Sequence, residues 1–302
     1  MDPSVTDWYF NPIMFEIGPF KAHWYGFMYA ATFILGYLYL HRSAVGEKMG
    51  INTRQKDGLI LWCILGIILG GRLGYVILYN FAYYFANPVK IFAVWEGGMA
   101  SHGAVIGSVL AVYWYCRRQN INILKVTDAI TSYVPVGIIL IRLGNFINGE
   151  LYGRIAEKYC IYFPADPENC RYPSQLFQAF LEGLILLIIL QIVARKSKNT
   201  GFVTGLFFVL YGLFRIIGEL FREPDAQIGY YFGTITQGQI LSGIMVLAGL
   251  ILLVKTKKKW YNNDENRPSK PNKHEPHRET HEHLQKSRQK PSRRKTKKSE
   301  GV

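Results

Sequence analysis

Three short stretches of this chain set reactive residue types inside apolar sequence. The first holds Arg142, Asn145, Asn148 and Glu150 and ends at Gly153. The second holds Tyr211, Arg215 and Glu219 at i, i+4 and i+8, with Arg222 close behind. The third is Ser101-His102-Gly103. Arg72 stands in a glycine-rich apolar run, and Tyr25 follows Trp24 at the start of another. Residues three or four apart share a helical face, so Arg142 with Asn145, and Tyr211 with Arg215 and Glu219, form two polar faces. Guanidinium groups bind phosphate bidentately, and arginines that outnumber the buried carboxylates make an anion site. His102 adds a group able to exchange a proton near neutral pH.

Each residue also has a plainer explanation. Glu219 is compatible with a purely structural pair to Arg215, and His102 with a packed histidine. Arg72 suits snorkelling to an interface or bracing of neighbouring helices. Trp24 and Tyr25 suit an aromatic belt. Glu182 has no evident partner. What favours chemistry is that a charged side chain inside a membrane span costs at least ~2.5–3.5 kcal/mol, so each one requires a reason.

The elements that must position these residues are seven apolar runs, near Trp24–Leu40, Gly58–Leu78, Met99–Cys116, Ala129–Ile147, Leu176–Ala194, Val203–Phe221 and Gln239–Val254. Each is long enough to cross ~30 Å of hydrocarbon as a helix. Gly66, Gly70, Gly71 and Gly74 in the second suit close helix approach in lipid. The expected fold is therefore an all-α polytopic membrane protein with about seven transmembrane helices. Loops 41–57, 117–128 and 195–200 and the C-terminal segment are rich in Lys and Arg, and they alternate with poorer segments. By the positive-inside rule this places the N-terminus outside and the C-terminus in the cytoplasm.

With that orientation, helices running in opposite directions deliver Tyr25, Arg72, His102, Arg142 with Asn145, and Arg215 with Glu219 to one depth near the outer face. The helix-breaking run 145–153 follows there, where non-helical backbone is tolerated only if it lines a cavity or is buried in protein. An anion site reachable from the outer leaflet suggests a phospholipid headgroup. A transporter would be expected to hold its charges nearer the midplane and to show internal repeats.

Residues 1–255 form the expected catalytic domain and 256–302 a basic, disordered cytoplasmic tail. Residues 255–302 hold 16 Lys/Arg and 6 Asp/Glu, most of the net charge of +14. That charge favours anionic membrane lipid over nucleic acid, which is not an expected partner. The tail histidines His274, His277, His281 and His283 suit solvated low complexity better than metal binding. No metal site and no cofactor are expected. Cys63 and Cys116 suit packing, whereas Cys160 and Cys170 share one loop and can pair if it faces an oxidising compartment. No cleavable signal peptide is expected, because Asp2 and Asp7 replace a basic leader.

Several segments carry a family resemblance: Trp24-Tyr25-Gly26, Gly70-Gly71-Arg72-Leu73-Gly74-Tyr75, Trp95-Glu96-Gly97-Gly98-Met99 leading to Ser101-His102-Gly103, and the run from Arg142 to Arg154. Tyr172-Pro173-Ser174-Gln175-Leu176, Tyr211-Gly212 with Arg215 and Glu219, and Phe221-Arg222-Glu223-Pro224-Asp225 complete the set. Over about residues 8–255 the chain closely resembles the bacterial prolipoprotein diacylglyceryl transferases. Ala104 departs from it, standing where the family commonly has a second glycine.

The resemblance implies transfer of a diacylglyceryl group from phosphatidylglycerol to the lipobox cysteine of a prolipoprotein signal peptide. A thioether forms and glycerol phosphate leaves, without metal or cofactor. It implies a multi-pass protein of the bacterial inner membrane with its active site facing the periplasm. His102, Arg142, Arg215 and Glu219 are the expected catalytic residues. Tyr25, Arg72, Arg142, Asn145, Asn148, Glu150, Gly153 and Tyr211 are the expected substrate contacts.

Overall fold

The computed structural model describes residues 5–8, 10–18, 20–93, 97–223, 230–231 and 234–265. Long helices stand at all the expected runs: α1 (Trp24–Arg42), α2 (Thr53–Tyr79), α3 (Ser101–Arg118), α4 (Ile123–Ile147), α5 (Ser174–Lys196), α6 (Phe202–Gly218) and α7 (Gln237–Glu265). Two begin earlier than their apolar runs because polar caps extend them. Asn52 and Gln55 close a reciprocal capping box at the start of α2, and the Asn122 side chain accepts the Leu124 amide at the start of α4. Such caps satisfy amides that the first turn leaves without partners.

Among the described residues, four helices are long and apolar enough to cross a membrane: α2, α4, α5, and α7 over Gln237–Thr256. The shorter α6 is also apolar. Their outer faces carry Leu61, Leu69 and Ile77 on α2, Val105 and Val109 on α3, and Leu247 and Ile251 on α7, all exposed. An apolar exterior of this extent belongs in lipid. Among the described residues, short strands lie before the first helix and in connections between helices. The antiparallel pair β2 (Cys160–Phe163) and β3 (Asp166–Arg171) is joined by β1 (Val5–Asp7), which runs parallel to β2.

The closest helix pairing is α2 against α3. A Cβ at Gly70 would lie 2.3 Å from the Gly103 carbonyl oxygen, and one at Gly107 would lie 2.2 Å from that of Gly66. The glycines at 66, 70 and 74 on one helix and 103 and 107 on the other let the backbones touch. The apolar core fills one end of the bundle: Leu40, Leu59, Cys116, Val126, Ala129, Leu190, Ala194, Val203 and Phe207 are buried together. These lie at the C-terminal ends of α1, α3 and α5 and the N-terminal ends of α2, α4 and α6. The opposite end is built from polar side chains.

The chain divides into two compact units, residues 1–260 and 261–302. Of the segment expected to be a disordered tail, residues 256–265 continue α7 as helix; 266–302 lie outside the described residues.

Candidate active site

At its C-terminal end, α4 turns back on itself. Gly149 takes φ +67°, the Glu150 amide donates to the Asn145 carbonyl at 3.0 Å, and the Gly149 amide donates to Phe146 at 3.0 Å. This is a Schellman closure, which needs a left-handed residue just beyond the helix. It folds the Glu150 side chain back over α4, where its Oε1 accepts from Asn145 Nδ2 at 2.9 Å. Asn145 Oδ1 in turn accepts from Arg142 Nη1 at 3.4 Å. Tyr25 of α1 packs on Gly144, where an added Cβ would sit 3.1 Å from its ring, and its hydroxyl lies 3.1 Å from that of Tyr29. Arg142 and Glu150 are among the electrostatic neighbours of Tyr29, so α1 borders the same site.

On α6, Arg215 and Glu219 form an ion pair one turn apart. Glu219 is 1% exposed and fully engaged. Its Oε1 also receives Arg222 Nη1 at 3.2 Å, and its Oε2 receives the Thr236 hydroxyl at 2.9 Å. Gly238, at the start of α7, is held so close to Glu219 that a Cβ there would meet the carboxylate at 2.8 Å. Glu219 therefore fixes two arginines and the start of α7. Tyr211 stacks on Phe207 with centroids 5.5 Å apart; no hydrogen bond joins it to Arg215 among the described residues.

A third contributor is Glu182. Residues Ala179–Ile185 form a π-helical turn within α5, a feature that often marks functional sites. Gly183 in that turn admits Ile139 of α4 so closely that a Cβ would be 2.4 Å away. Glu182 beside it is 0% exposed. Its Oε1 lies 3.5 Å from Arg215 Nη1, and Arg142 is a further electrostatic neighbour. Its Oε2 is buried without a hydrogen-bond partner among the described residues, as are Gln178 Nε2, Gln175 Oε1 and Asn148 Oδ1. Buried polar atoms left unmatched are costly, and several in one region call for a ligand or water.

The charge balance differs from the sequence-based expectation. Of Arg142, Arg215 and Arg222, the last two are offset by the buried Glu219 and Glu182, because a buried guanidinium without a counter-charge is costly. Arg142 makes no ion pair among the described residues, and its one hydrogen bond is the long contact to Asn145. The anion-seeking character of the site is thus concentrated on a single side chain.

Gly153 closes the site from the loop side. Its amide donates to Tyr172 at 2.8 Å, and the next amide, of Arg154, donates to Phe221 at 3.0 Å. A Cβ on Gly153 would meet the Phe221 carbonyl at 2.4 Å.

The family model for prolipoprotein diacylglyceryl transferase matches residues 12–255. The chain belongs to that family. It is 46% identical over 253 residues to the phosphatidylglycerol–prolipoprotein diacylglyceryl transferase of Rickettsia typhi, covering 82% of this chain and 98% of the relative. The Rickettsia bellii (strain OSU 85-389) relative of the same name is 44% identical over 250 residues, covering 82% and 95%. That of Bradyrhizobium diazoefficiens is 44% identical over 256 residues, covering 81% and 91%.

Two of the residues expected in this transferase's site fall outside the network. Arg72 is 3% exposed, and its donors are spent on main-chain carbonyls: Nε on Ile91, Nη1 on Gly97 and Gly98, and Nη2 on Lys90 and Ala93. It also lies against the Tyr84 ring, 5.0 Å from the centroid. With five N–H groups to give, it braces the connection between α2 and α3 and has no donor left for a substrate. His102 is exposed in the first turn of α3 and makes no hydrogen bond or ion pair among the described residues. The neighbouring Gly103 faces α2, so helical geometry turns position 102 away from that seam. Trp95, Glu96, Pro224 and Asp225 of the resembling segments lie outside the described residues.

The residues missed from sequence differ in how visible they were. Glu182 was conspicuous as a carboxylate within an apolar run, and only its partners were hidden. Gln178, Thr236 and Gly238 gave no signal, because their importance comes from packing against Glu182 and Glu219.

Proposed function

We propose that this protein transfers the diacylglyceryl group of phosphatidylglycerol to the thiol of a prolipoprotein cysteine, and that Arg142 is the principal phosphate anchor. The observation that carries the assignment is the state of Arg142: a half-buried guanidinium that makes no contact ion pair among the described residues, beside two arginines that share the Glu219 carboxylate.

The reaction joins the cysteine sulfur to the glyceryl carbon that bears the phosphate ester. The carbon–oxygen bond breaks, its electron pair stays on the phosphate oxygen, and glycerol phosphate leaves. A free thiol has a pKa of about 8.5 and is mostly protonated at neutral pH, so its proton must be removed. His102, whose ring makes no hydrogen bond among the described residues, is the group proposed to take or relay that proton. Arg142 compensates the charge that grows on the leaving phosphate, helped by Arg215, which Glu219 and Glu182 hold in place. Asn145, Asn148, Glu150 and the backbone at Gly153 receive the glycerol headgroup, and Tyr25 covers the lipid from α1.

In the proposed setting the bundle crosses a bacterial inner membrane seven times. The N-terminus and the site face the periplasm, and the C-terminus is cytoplasmic. The acceptor is a lipobox cysteine in a signal peptide emerging on that face. The alternation of basic loops supports this orientation.

The test uses purified protein, labelled phosphatidylglycerol and a lipobox peptide. Wild type releases glycerol phosphate and forms the thioether, while Arg142→Ala loses roughly 10²–10³ in turnover, the usual cost of deleting a donor to a developing anion. Full activity in Arg142→Ala removes it as anchor, and near-wild-type activity in His102→Gln removes His102 as proton acceptor.

A further inference from the structure

The end of the bundle opposite the candidate active site holds a cavity of about 470 Å³, lined by Lys48, Lys125, Asp128, Arg195, Lys196 and Lys198, with the hydroxyls of Ser197 and Thr200. Its cations come from all three basic interhelical loops, 41–57, 117–128 and 195–200, which the fold gathers where α4 and α6 begin and α5 ends.

The charge there is unbalanced for a structural reason. Asp128 is the one carboxylate in the lining, and it is committed elsewhere. It accepts the Gly201 amide at 2.6 Å, the Thr204 amide at 2.8 Å and the Thr204 hydroxyl at 2.7 Å, capping the N-terminus of α6. Lys48 is committed too, donating to the carbonyls of Ala194, Arg195 and Ser197 at the end of α5. The side chains of Lys125, Arg195, Lys196 and Lys198 make no hydrogen bond or ion pair among the described residues. Four cations thus line one opening whose single carboxylate is engaged by the start of α6.

We propose that this cavity binds a phosphate group, and that the phosphate belongs to an anionic phospholipid of the membrane leaflet remote from the active site. The commitment to a lipid comes from α5. Leu184, Ile188 and Ile192 are exposed and precede Lys196 at successive intervals of one turn, making an apolar strip that leads to the basic opening. A headgroup phosphate held by the lysines would lay an acyl chain along that strip. Basic pockets between helix ends at a membrane surface are suited to anionic headgroups. The site is separate from the transfer site, and only the background chosen for its test rests on the role proposed for Arg142.

The experiment uses full-length protein in phosphatidylcholine nanodiscs doped with phosphatidic acid, with bound lipid counted by native mass spectrometry. Arg142→Ala is the background, so that the transfer site does not contribute. Lys125→Gln combined with Lys198→Gln in that background should weaken retention of phosphatidic acid by roughly 30-fold, the effect of removing two cations near the surface, without lowering the melting temperature. In a separate arm, inorganic phosphate is titrated onto the Arg142→Ala protein in neutral detergent. Phosphate that binds as tightly as phosphatidic acid, and loses binding in the lysine variant, overturns the lipid assignment in favour of a soluble anion. Equal retention of phosphatidic acid with and without the two lysines overturns the site altogether.

Discussion

Glu182 places one carboxylate oxygen 3.5 Å from Arg215 and leaves the other buried with no hydrogen-bond partner among the described residues. A fully enclosed carboxylate survives only where positive charge surrounds it. Here Arg215 and Arg142 supply that charge from two different helices. Glu182 acts through Arg215 and is therefore a positioning residue. Glu182→Gln keeps the volume and one acceptor, so the fold should persist while Arg215 loses half of its fixation. Turnover on labelled phosphatidylglycerol should fall about tenfold, an effect of about 1.4 kcal/mol. Glu182→Ala leaves Arg215 short of a counter-ion and opens a void, and should also lower the melting temperature. Wild-type turnover in Glu182→Gln would show that the carboxylate serves only the fold.

Arg72 makes a contrasting prediction. Its guanidinium is bound to five carbonyl oxygens between Lys90 and Gly98, and lysine offers only three donors from a single point. Arg72→Lys should thus destabilise the α2–α3 connection, by about 1–3 kcal/mol for the carbonyls it abandons. Protein that remains folded should bind phosphatidylglycerol normally. Thermal unfolding and lipid affinity, measured side by side, separate these effects: a large affinity loss with unchanged stability would return Arg72 to the substrate site.

How much of this was legible in the sequence depends on the scale of the feature. The helices were readable because hydrophobic run length is a one-dimensional property, and only their polar first turns, governed by Asn52 and Asn122, escaped it. The convergence of Arg142, Asn145 and Glu150 with Arg215 and Glu219 was readable from helix direction. Direction gives depth but not azimuth, so His102 was placed at the right end of its helix without any indication of which way it faces. The π-helical turn at Ala179–Ile185 and the engagement of every Arg72 donor arise from tertiary packing, and no sequence period encodes them. The pairing of Cys160 with Cys170, left open by the sequence, is made in the structure.

Gly153 is a position where one methyl group should matter. Its added Cβ would come within 2.4 Å of the Phe221 carbonyl and 2.8 Å of that of Tyr172, both of them backbone. Backbone held in a ladder cannot swing aside as a side-chain tip can. Gly153→Ala should cost about 1–3 kcal/mol through overpacking and part the loop 150–156 from the end of α6. The expected result is a lowered melting temperature together with loss of transfer, since Glu150 and Arg154 move with that loop. An Ala variant with unchanged melting temperature and activity would show that this contact supports neither the fold nor the site.

The loop that carries this ladder is held by two devices, which pH can separate. The Cys160–Cys170 bond closes a short loop, worth about 3 kcal/mol in the chain-entropy account, and does not titrate. Asp166 does titrate: hydrogen bonds from Asn169, then from Arg171, hold its carboxyl below the usual carboxylate range. A carboxyl whose acidity is greater in the folded state stabilises that state above its unfolded pKa of about 3.9, and the contribution disappears as pH falls through the lower folded value. Amide exchange over residues 160–171 should therefore be flat from neutrality down to about pH 5 once corrected for intrinsic rates, and should accelerate only well into the acid range. Asp166→Asn should exchange faster at neutral pH and lose that acid-dependent step. Reduction of the disulfide should speed exchange at every pH and leave the step in place. A step that vanished on reduction instead would make the ion pair a consequence of the cross-link, with no independent hold on the loop.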